Sequence, residues 1–314
     1  MSSQTDNSES MDDTLRQRLK RWRGYARSSG LRFWLTLAGL AFLRSLLILP
    51  FAVQMWVGRV MGWLTWRFAA KPRRIVRRNI DAYFSDLSEA QRCELEKRSF
   101  MSLGMTITEV PYTWWTPHEK LLRRYSITGL EHIAAARAQG HGVLLLSFHF
   151  TTVESCGFVM CHQFPDLIVV YRPYRKNPLA DEFTRRSRSR VVKELIDRQD
   201  LRRVARRLRQ KEVVFFAGDL IVRRGKRCIE LPFFGVPTLF HSGAIDLSAM
   251  TGARIVPYIP QRLPGGRYKI EILPAMEGIP SGDRVADQKR INDLLEEYIR
   301  RDPSQYLWTR DRLA

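Results

Sequence analysis

The alternation of hydrophobic and polar positions changes character along the chain. Residues 1 to about 14 are rich in Ser, Asp, Asn and Gln, too polar to bury a core, and read as disordered. Residues 16–32 turn basic, with Arg16, Arg18, Lys20, Arg21, Arg23, Arg27 and Arg32. Phe33–Phe68 is strongly apolar and holds Trp34, Trp56, Trp63 and Trp66. After it, Arg73–Phe84 and Ser88–Thr113 read as helices, the second opened by the start signal Ser88-Glu-Ala-Gln91. From about residue 125 short apolar runs alternate with amphipathic stretches. Tyr125–Gly129, Val143–Phe148, Leu167–Arg172, Val213–Ala217, Arg254–Tyr258 and Tyr268–Ile272 read as strands. Ile133–Gln139, Asp181–Asp197, Asp200–Gln210, His241–Thr251 and Asp287–Arg301 read as helices. This is the pattern of an α/β fold, a mixed central sheet flanked by helices. Texture places the boundaries at residues 1–30 (polar, then basic), 31–70 (membrane-associated) and 71–314 (the α/β domain).

The apolar segment does not have the form of an ordinary spanning helix. A span needs about 20 apolar residues without interruption, and Arg44, Arg59 and Arg67 divide this one. Both flanks are basic, with Lys71, Arg73, Arg74, Arg77 and Arg78 following, whereas a single crossing places the basic flank on one side. The pattern favours a helix or helical hairpin that dips into one leaflet, its tryptophans at the headgroup level. A single crossing that tolerates Arg44 and a core helix pair are the alternatives.

Charge sharpens this. The 314 residues carry 52 Lys and Arg against 32 Asp and Glu, a net charge of +20, and 45% are hydrophobic. Nucleic acid, an anionic membrane surface, or an acidic protein or substrate are the partner classes that follow. The tryptophan-rich segment argues for the membrane and against nucleic acid. Much of the basic charge lies between Thr184 and Lys211, a face suited to an acidic partner or solvated. Cys93, Cys156, Cys161 and Cys228 show neither metal-ligand spacing nor a disulfide framework. No phosphate-binding glycine string is present, so neither a metal nor a nucleotide cofactor is expected.

The candidate chemistry is concentrated in His141-Gly-Val-Leu-Leu-Leu-Ser-Phe-His149-Phe-Thr-Thr-Val-Glu154. A buried strand ends at His149, and Glu154 follows on a helix start. Open α/β sheets build their sites at such strand ends. An imidazole paired with a carboxylate can take a proton from a hydroxyl. Glu154 also closes a capping box with Thr151, which would make it structural. The same spacing recurs at His241 and Asp246, where His241 falls on the opening turn of a helix. Arg172 follows a strand and could grip a phosphate or pair with Asp181. Asp219 could position Arg172 or a sugar hydroxyl, or be a strand-end turn residue.

Further motifs follow in order: Val170-Tyr171-Arg172-Pro173, Asn177-Pro178-Leu179, Gly218-Asp219, Leu231-Pro-Phe-Phe-Gly-Val-Pro237, Thr251-Gly-Ala-Arg-Ile-Val-Pro257 and Pro303-Ser-Gln-Tyr-Leu-Trp308. Together they resemble the bacterial lipid A biosynthesis acyltransferases of the lauroyl/myristoyl group, from roughly residue 30 to the C-terminus. The resemblance implies a glycerolipid-acyltransferase-like fold at the bacterial inner membrane, its active site facing the cytoplasm. It implies acyl transfer from acyl-acyl carrier protein, as co-substrate, to a hydroxyl of a lipid A precursor. His149 and Glu154 match the family's His-x4-Glu/Asp catalytic motif, with Glu154 orienting the ring; Arg172 and Asp219 match positions on the substrate side. The chemistry agrees: no serine or cysteine nucleophile is needed when the hydroxyl attacks the thioester directly, and amides at the helix start after His149 could hold the oxyanion. The sequence departs from the family over Leu220–Arg227 and at His241, which bears on the acceptor more than on the reaction. Another envelope lipid as acceptor, or a basic binding protein without catalysis, are the competing readings.

Overall fold

The computed structural model describes residues 30–219 and 228–313, together with Gly24. The polar and basic positions expected before residue 30 and the departure at Leu220–Arg227 lie outside the described residues.

Strand β2 (Val143–Ser147) sits at the centre of the fold. All its residues are buried, as expected of a run of Leu and Val covered on both faces. The sheet order is β1-β9-β8-β2-β5-β3-β4, with β1 Tyr125–Thr128, β3 Ile168–Tyr171, β4 Glu194–Asp197, β5 Val213–Ala217, β8 Arg254–Leu263 and β9 Arg267–Ile272. Strands β8, β2, β5, β3 and β4 run parallel; β9 turns back antiparallel to β8 and carries β1 with it. The sheet is therefore mixed, as the sequence led us to expect. A separate hairpin, β6 (Cys228–Phe233) and β7 (Val236–His241), lies beside it.

Side chains of β2 alternate between two cores. Leu144 and Leu146 pack on one face with α9 (Leu201–Arg209), α10 (Gly243–Thr251) and α11 (Arg284–Arg301). Val143 and Leu145 pack on the other with α6 (Leu130–Ala138) and α7 (Val153–Gln163). Helix α3 (Ala70–Tyr83) closes the first core, α5 (His118–Leu122) the second, and α4 (Glu89–Trp115) reaches both. The capping box read at Ser88 is formed, Ser88 Oγ accepting from the Gln91 amide.

Three expectations need correction. Asp181–Asp197 is not one helix: α8 (Pro178–Ser189) ends early and Glu194–Asp197 becomes the edge strand β4, paired with β3. Val191 and Val192 form the turn after α8, their amides bonded to the Arg188 carbonyl, and Leu195 and Ile196 then pair with Val169 and Val170 at the open edge of the sheet. His241 closes β7 rather than opening a helix, its Nδ1 accepting from the Gly243 amide at 2.9 Å. The Thr151 capping box is not formed: α7 starts at Val153 without a side-chain cap, and Thr151 Oγ1 instead hydrogen-bonds Ser102 Oγ at 2.9 Å.

The apolar segment is two helices, α1 (Leu31–Ser45) and α2 (Phe51–Phe68), separated by a 3₁₀ turn at Leu46–Ile48 and by Pro50. Their surroundings differ. Helix α2 packs along α4 where Gly62 and Gly104 let the backbones touch: a Cβ on Gly104 would lie 2.2 Å from the Gly58 carbonyl oxygen. Leu31–Ile48 is long and apolar enough to cross a membrane, by length and composition, and only 11% of it is buried. Trp34, Phe42, Ile48, Trp56, Trp63 and Phe68 are all exposed.

Candidate active site

Strands β2 and β5 are neighbours in register, Ser147 opposite Ala217. His149 and Asp219 each lie two residues beyond those partners, so the register places them side by side at the carboxyl edge of the sheet. Asp219 is fully buried and holds His149 twice. Its Oδ2 accepts the His149 amide at 3.0 Å, and its Oδ1 bonds the ring Nδ1 at 2.5 Å. The same carboxylate accepts from the Tyr306 hydroxyl at 2.8 Å and from Arg312 at 3.1 Å.

Burial opposes ionisation of Asp219, but the charge and hydrogen bonds of His149 and the charge of Arg312 outweigh it. The carboxyl is held well below the usual carboxylate range. Burial, reinforced by Asp219, pushes the Tyr306 hydroxyl well above its usual value, so it stays a neutral donor. An ionised Asp219 can only accept, so Nδ1 carries the ring proton of the neutral imidazole. Nε2 is then the basic nitrogen, and it has no hydrogen-bond partner among the described residues.

His149 opens onto a cavity of about 900 Å³. Its lining is cationic in part, with Arg172, Arg175, Lys176, Arg198 and Arg310, and apolar in part, with Phe158, Cys161, Val169, Val191 and Phe215. Burial pushes the Cys161 thiol up to about 12, with the Glu154 charge adding to it, so this cysteine is a neutral wall residue. At the rim, Asn177 donates to Thr36 Oγ1 at 3.0 Å, which joins the cavity mouth to the uncovered helix α1. The cavity is amphiphilic and borders the apolar surface.

The predicted site residues separate into two groups. His149, Glu154 and Arg172 all line the cavity, and Asp219 supports His149 from behind. The expected pairing is corrected: the ring is held by Asp219 rather than Glu154. Glu154 instead makes a two-pronged pair with Arg188, Nε to Oε1 at 2.8 Å and Nη2 to Oε2. The physical reason is the start of α7 at Val153, which puts Glu154 on the helix face turned toward α8. Arg172 is not paired with Asp181, which accepts the Tyr174 amide at 2.8 Å; no carboxylate pairs with Arg172 among the described residues.

Sequence reasoning missed the strap at residues 303–313. The Leu307 amide bonds the His149 carbonyl at 3.0 Å and the Thr151 amide bonds the Gln305 carbonyl at 2.7 Å. Asn79 of α3 secures the strap by donating to the Trp308 and Arg310 carbonyls, each at 2.7 Å. The strap thereby delivers Tyr306 and Arg312 to Asp219, and Arg310 to the cavity wall. Burial lowers the Arg310 pKa; Asp219 resists this, while Arg312 and Arg172 add to it. The motif Pro303–Trp308 marked the strap, but no periodicity shows where an irregular segment folds back.

A buried carboxylate, an imidazole and an amphiphilic cavity at the carboxyl edge of a mixed α/β sheet make an arrangement suited to group transfer on a lipid-like substrate. The family model for bacterial lipid A biosynthesis acyltransferases matches residues 24–314, and the chain belongs to that family. It is 34% identical to the lipid A biosynthesis lauroyltransferase of Escherichia coli K12, over 90% of this chain and 92% of that protein. It is 31% identical to the palmitoleoyltransferase of the same organism, over 90% and 91%. A phosphatidylinositol mannoside acyltransferase of Mycobacterium tuberculosis is 27% identical over 60% of each chain.

Proposed function

We propose that this protein transfers a fatty acyl chain from acyl-acyl carrier protein to a hydroxyl of a lipid A precursor at the bacterial inner membrane, on its cytoplasmic side, with His149 as general base. The observation that carries the proposal is the His149 ring, fixed through Nδ1 by buried Asp219 with Nε2 toward an amphiphilic cavity.

A lipid hydroxyl is a poor nucleophile near neutral pH, and imidazole, with an ordinary pKa of about 6.5, is matched to removing its proton. Nε2 takes that proton as the hydroxyl oxygen attacks the thioester carbonyl. The imidazolium that forms is stabilised by Asp219, as in a Ser-His-Asp site. Collapse of the tetrahedral intermediate forms the ester, breaks the C–S bond, and returns the proton to the departing thiolate. The amides of Phe150, Thr151 and Val153 are already bonded to the carbonyls of Phe148, Gln305 and Phe150. The oxyanion is then held by the amides left at the helix start, Thr152 and Glu154, together with the cationic lining that includes Arg310.

Arg172 takes a phosphate of the acceptor, its guanidinium free for a forked contact. Glu154 contributes by holding Arg188 and the cavity wall in shape. Carrier protein docks on α9, where Arg202, Arg203, Arg206 and Arg209 are exposed. The uncovered face of α1 and α2 lies in the membrane, tryptophans at the headgroup level, so the acceptor enters past the rim at Asn177.

Mass spectrometry of glycolipids from cells with and without the protein tests this, with His149→Ala as control. A lipid A species heavier by one acyl unit, absent in the control, is the expected result. An unchanged lipid A with another lipid esterified keeps the mechanism and moves the acceptor. No His149-dependent acylation of any lipid overturns the proposal.

A further inference from the structure

We propose that Gly157 sets the length of the acyl chain this protein accepts, by keeping open an apolar arm of the cavity along α7. The inference rests on the acyl-transfer reading and names the part of the site that receives the hydrocarbon.

Glu154, Gly157, Phe158 and Cys161 all line the cavity. Their spacing puts them on one face of α7, which therefore runs along the cavity for about 10 Å at 1.5 Å per residue. The helix leads away from His149, so its face passes from the charged Glu154–Arg188 pair at the reacting end to the neutral Cys161 thiol. Val169, Val191, Val192 and Phe215 add further apolar lining to the same cavity. No charged side chain lies on the Gly157–Cys161 stretch, and such a slot suits a saturated chain and rejects a headgroup.

Gly157 is a helical glycine that lines the cavity and has no structural explanation. Glycine inside a helix is less favourable than alanine, and proteins keep it where a neighbour leaves no room for a side chain. Gly58, Gly62 and Gly104 have that reason in the α2–α4 contact. At Gly157 an added Cβ meets nothing within 4 Å, and its backbone is ordinary helix. Neither packing nor conformation demands glycine there. What the missing side chain provides is volume in the cavity, one turn beyond Glu154. A side chain at 157 would occupy that volume and stop a long chain before a short one.

The test is Gly157→Leu and Gly157→Ala, assayed with a series of acyl-carrier-protein donors of graded chain length. In parallel, free fatty acids of the same lengths compete for a fluorescent fatty-acid probe. We expect both variants to stay folded, and Gly157→Leu to turn from the longest accepted donor toward shorter ones. Each methylene denied room is worth about 10-fold or more in discrimination. Gly157→Ala shifts the profile the same way by less. An unchanged length profile in an active Gly157→Leu overturns the proposal. If Gly157→Leu is inactive with every donor, an unchanged profile in Gly157→Ala overturns it equally. Wild-type protein that transfers no chain sinks the functional reading alone. A Gly157-dependent length cutoff in fatty-acid competition would then still support the chain-binding arm, and its absence would remove that too.

Discussion

The molecule buries two carboxylates with the same kinds of partner. Asp219 accepts from Tyr306 and Arg312. Glu109 of α4 accepts from Tyr268 at 2.6 Å and from both Arg262 Nε at 2.5 Å and Nη2 at 2.8 Å. The difference is the remaining partner. Asp219 spends its other oxygen on a histidine that opens onto a cavity. Around Glu109 the remaining bonds turn inward: Arg262 Nη1 donates to Ser102, which meets Thr151, the second residue after His149. One cluster ends in an imidazole that opens onto the cavity, and the other fastens α4 to the sheet beneath the loop that carries His149. A buried carboxylate–arginine–tyrosine group is thus not itself a sign of catalysis; what it faces decides.

The sharpest break of the comparison is chemical. His149→Ala should lower turnover by about 10²–10⁴-fold, the usual share of a general base, with the protein still folded, though less stable because Asp219 loses a partner. Asp219→Asn should reach the same range, because the ring loses the partner that fixes its tautomer. Glu109→Gln, by contrast, should leave turnover per folded molecule close to wild type. It should still lower stability by about 3–5 kcal/mol, since Arg262 is left buried and unpaired; denaturant melts beside active-site-titrated rates separate the two. If Glu109→Gln costs as much turnover as Asp219→Asn, the division drawn here fails.

Smaller effects sharpen it. Asp219 has a folded-state pKa below its unfolded value of about 3.9, so its contribution is complete above that pH and is lost as the pH falls toward the folded value. The stability gap between wild type and Asp219→Asn should therefore narrow as the pH is taken below about 4. A gap that widens would mean that Asp219 is not held ionised. Glu154→Gln keeps the shape of the Arg188 contact and should cost about tenfold or less in kcat/KM, a step of ~1.4 kcal/mol. A loss equal to that of His149→Ala would return Glu154 to direct partnership with the ring.

Much of this was legible in the residues. The strand ending at His149 and the strand leading to Asp219 both follow from short apolar runs. That they lie next to each other does not, because β5 comes after β3 and β4 in the chain yet inserts between β2 and β3. Spacing therefore offered Glu154 as the partner, being near in sequence, while sheet order supplied Asp219 from 70 residues away. The actual contact of Glu154 is not legible from spacing, since its Arg188 lies 34 residues on and on another helix. The edge strand β4 was hidden inside an arginine-rich stretch whose helix pattern continues past Ser189. The hairpin β6–β7 was hidden by Pro232 and Pro237, which read as loop.

The strap has a consequence for how the protein comes into being. The groups that steady Asp219 from below, Tyr306 and Arg312, are made more than eighty residues after it. During translation the sheet and His149 can assemble while the strap is still inside the ribosome. Asp219 then has neither its tyrosine nor its arginine, and the cavity lacks Arg310. A nascent chain can therefore pack its helices and sheet while the carboxylate beside His149 is still unbraced. The site is complete only when residues through Arg312 have emerged and folded back under Asn79.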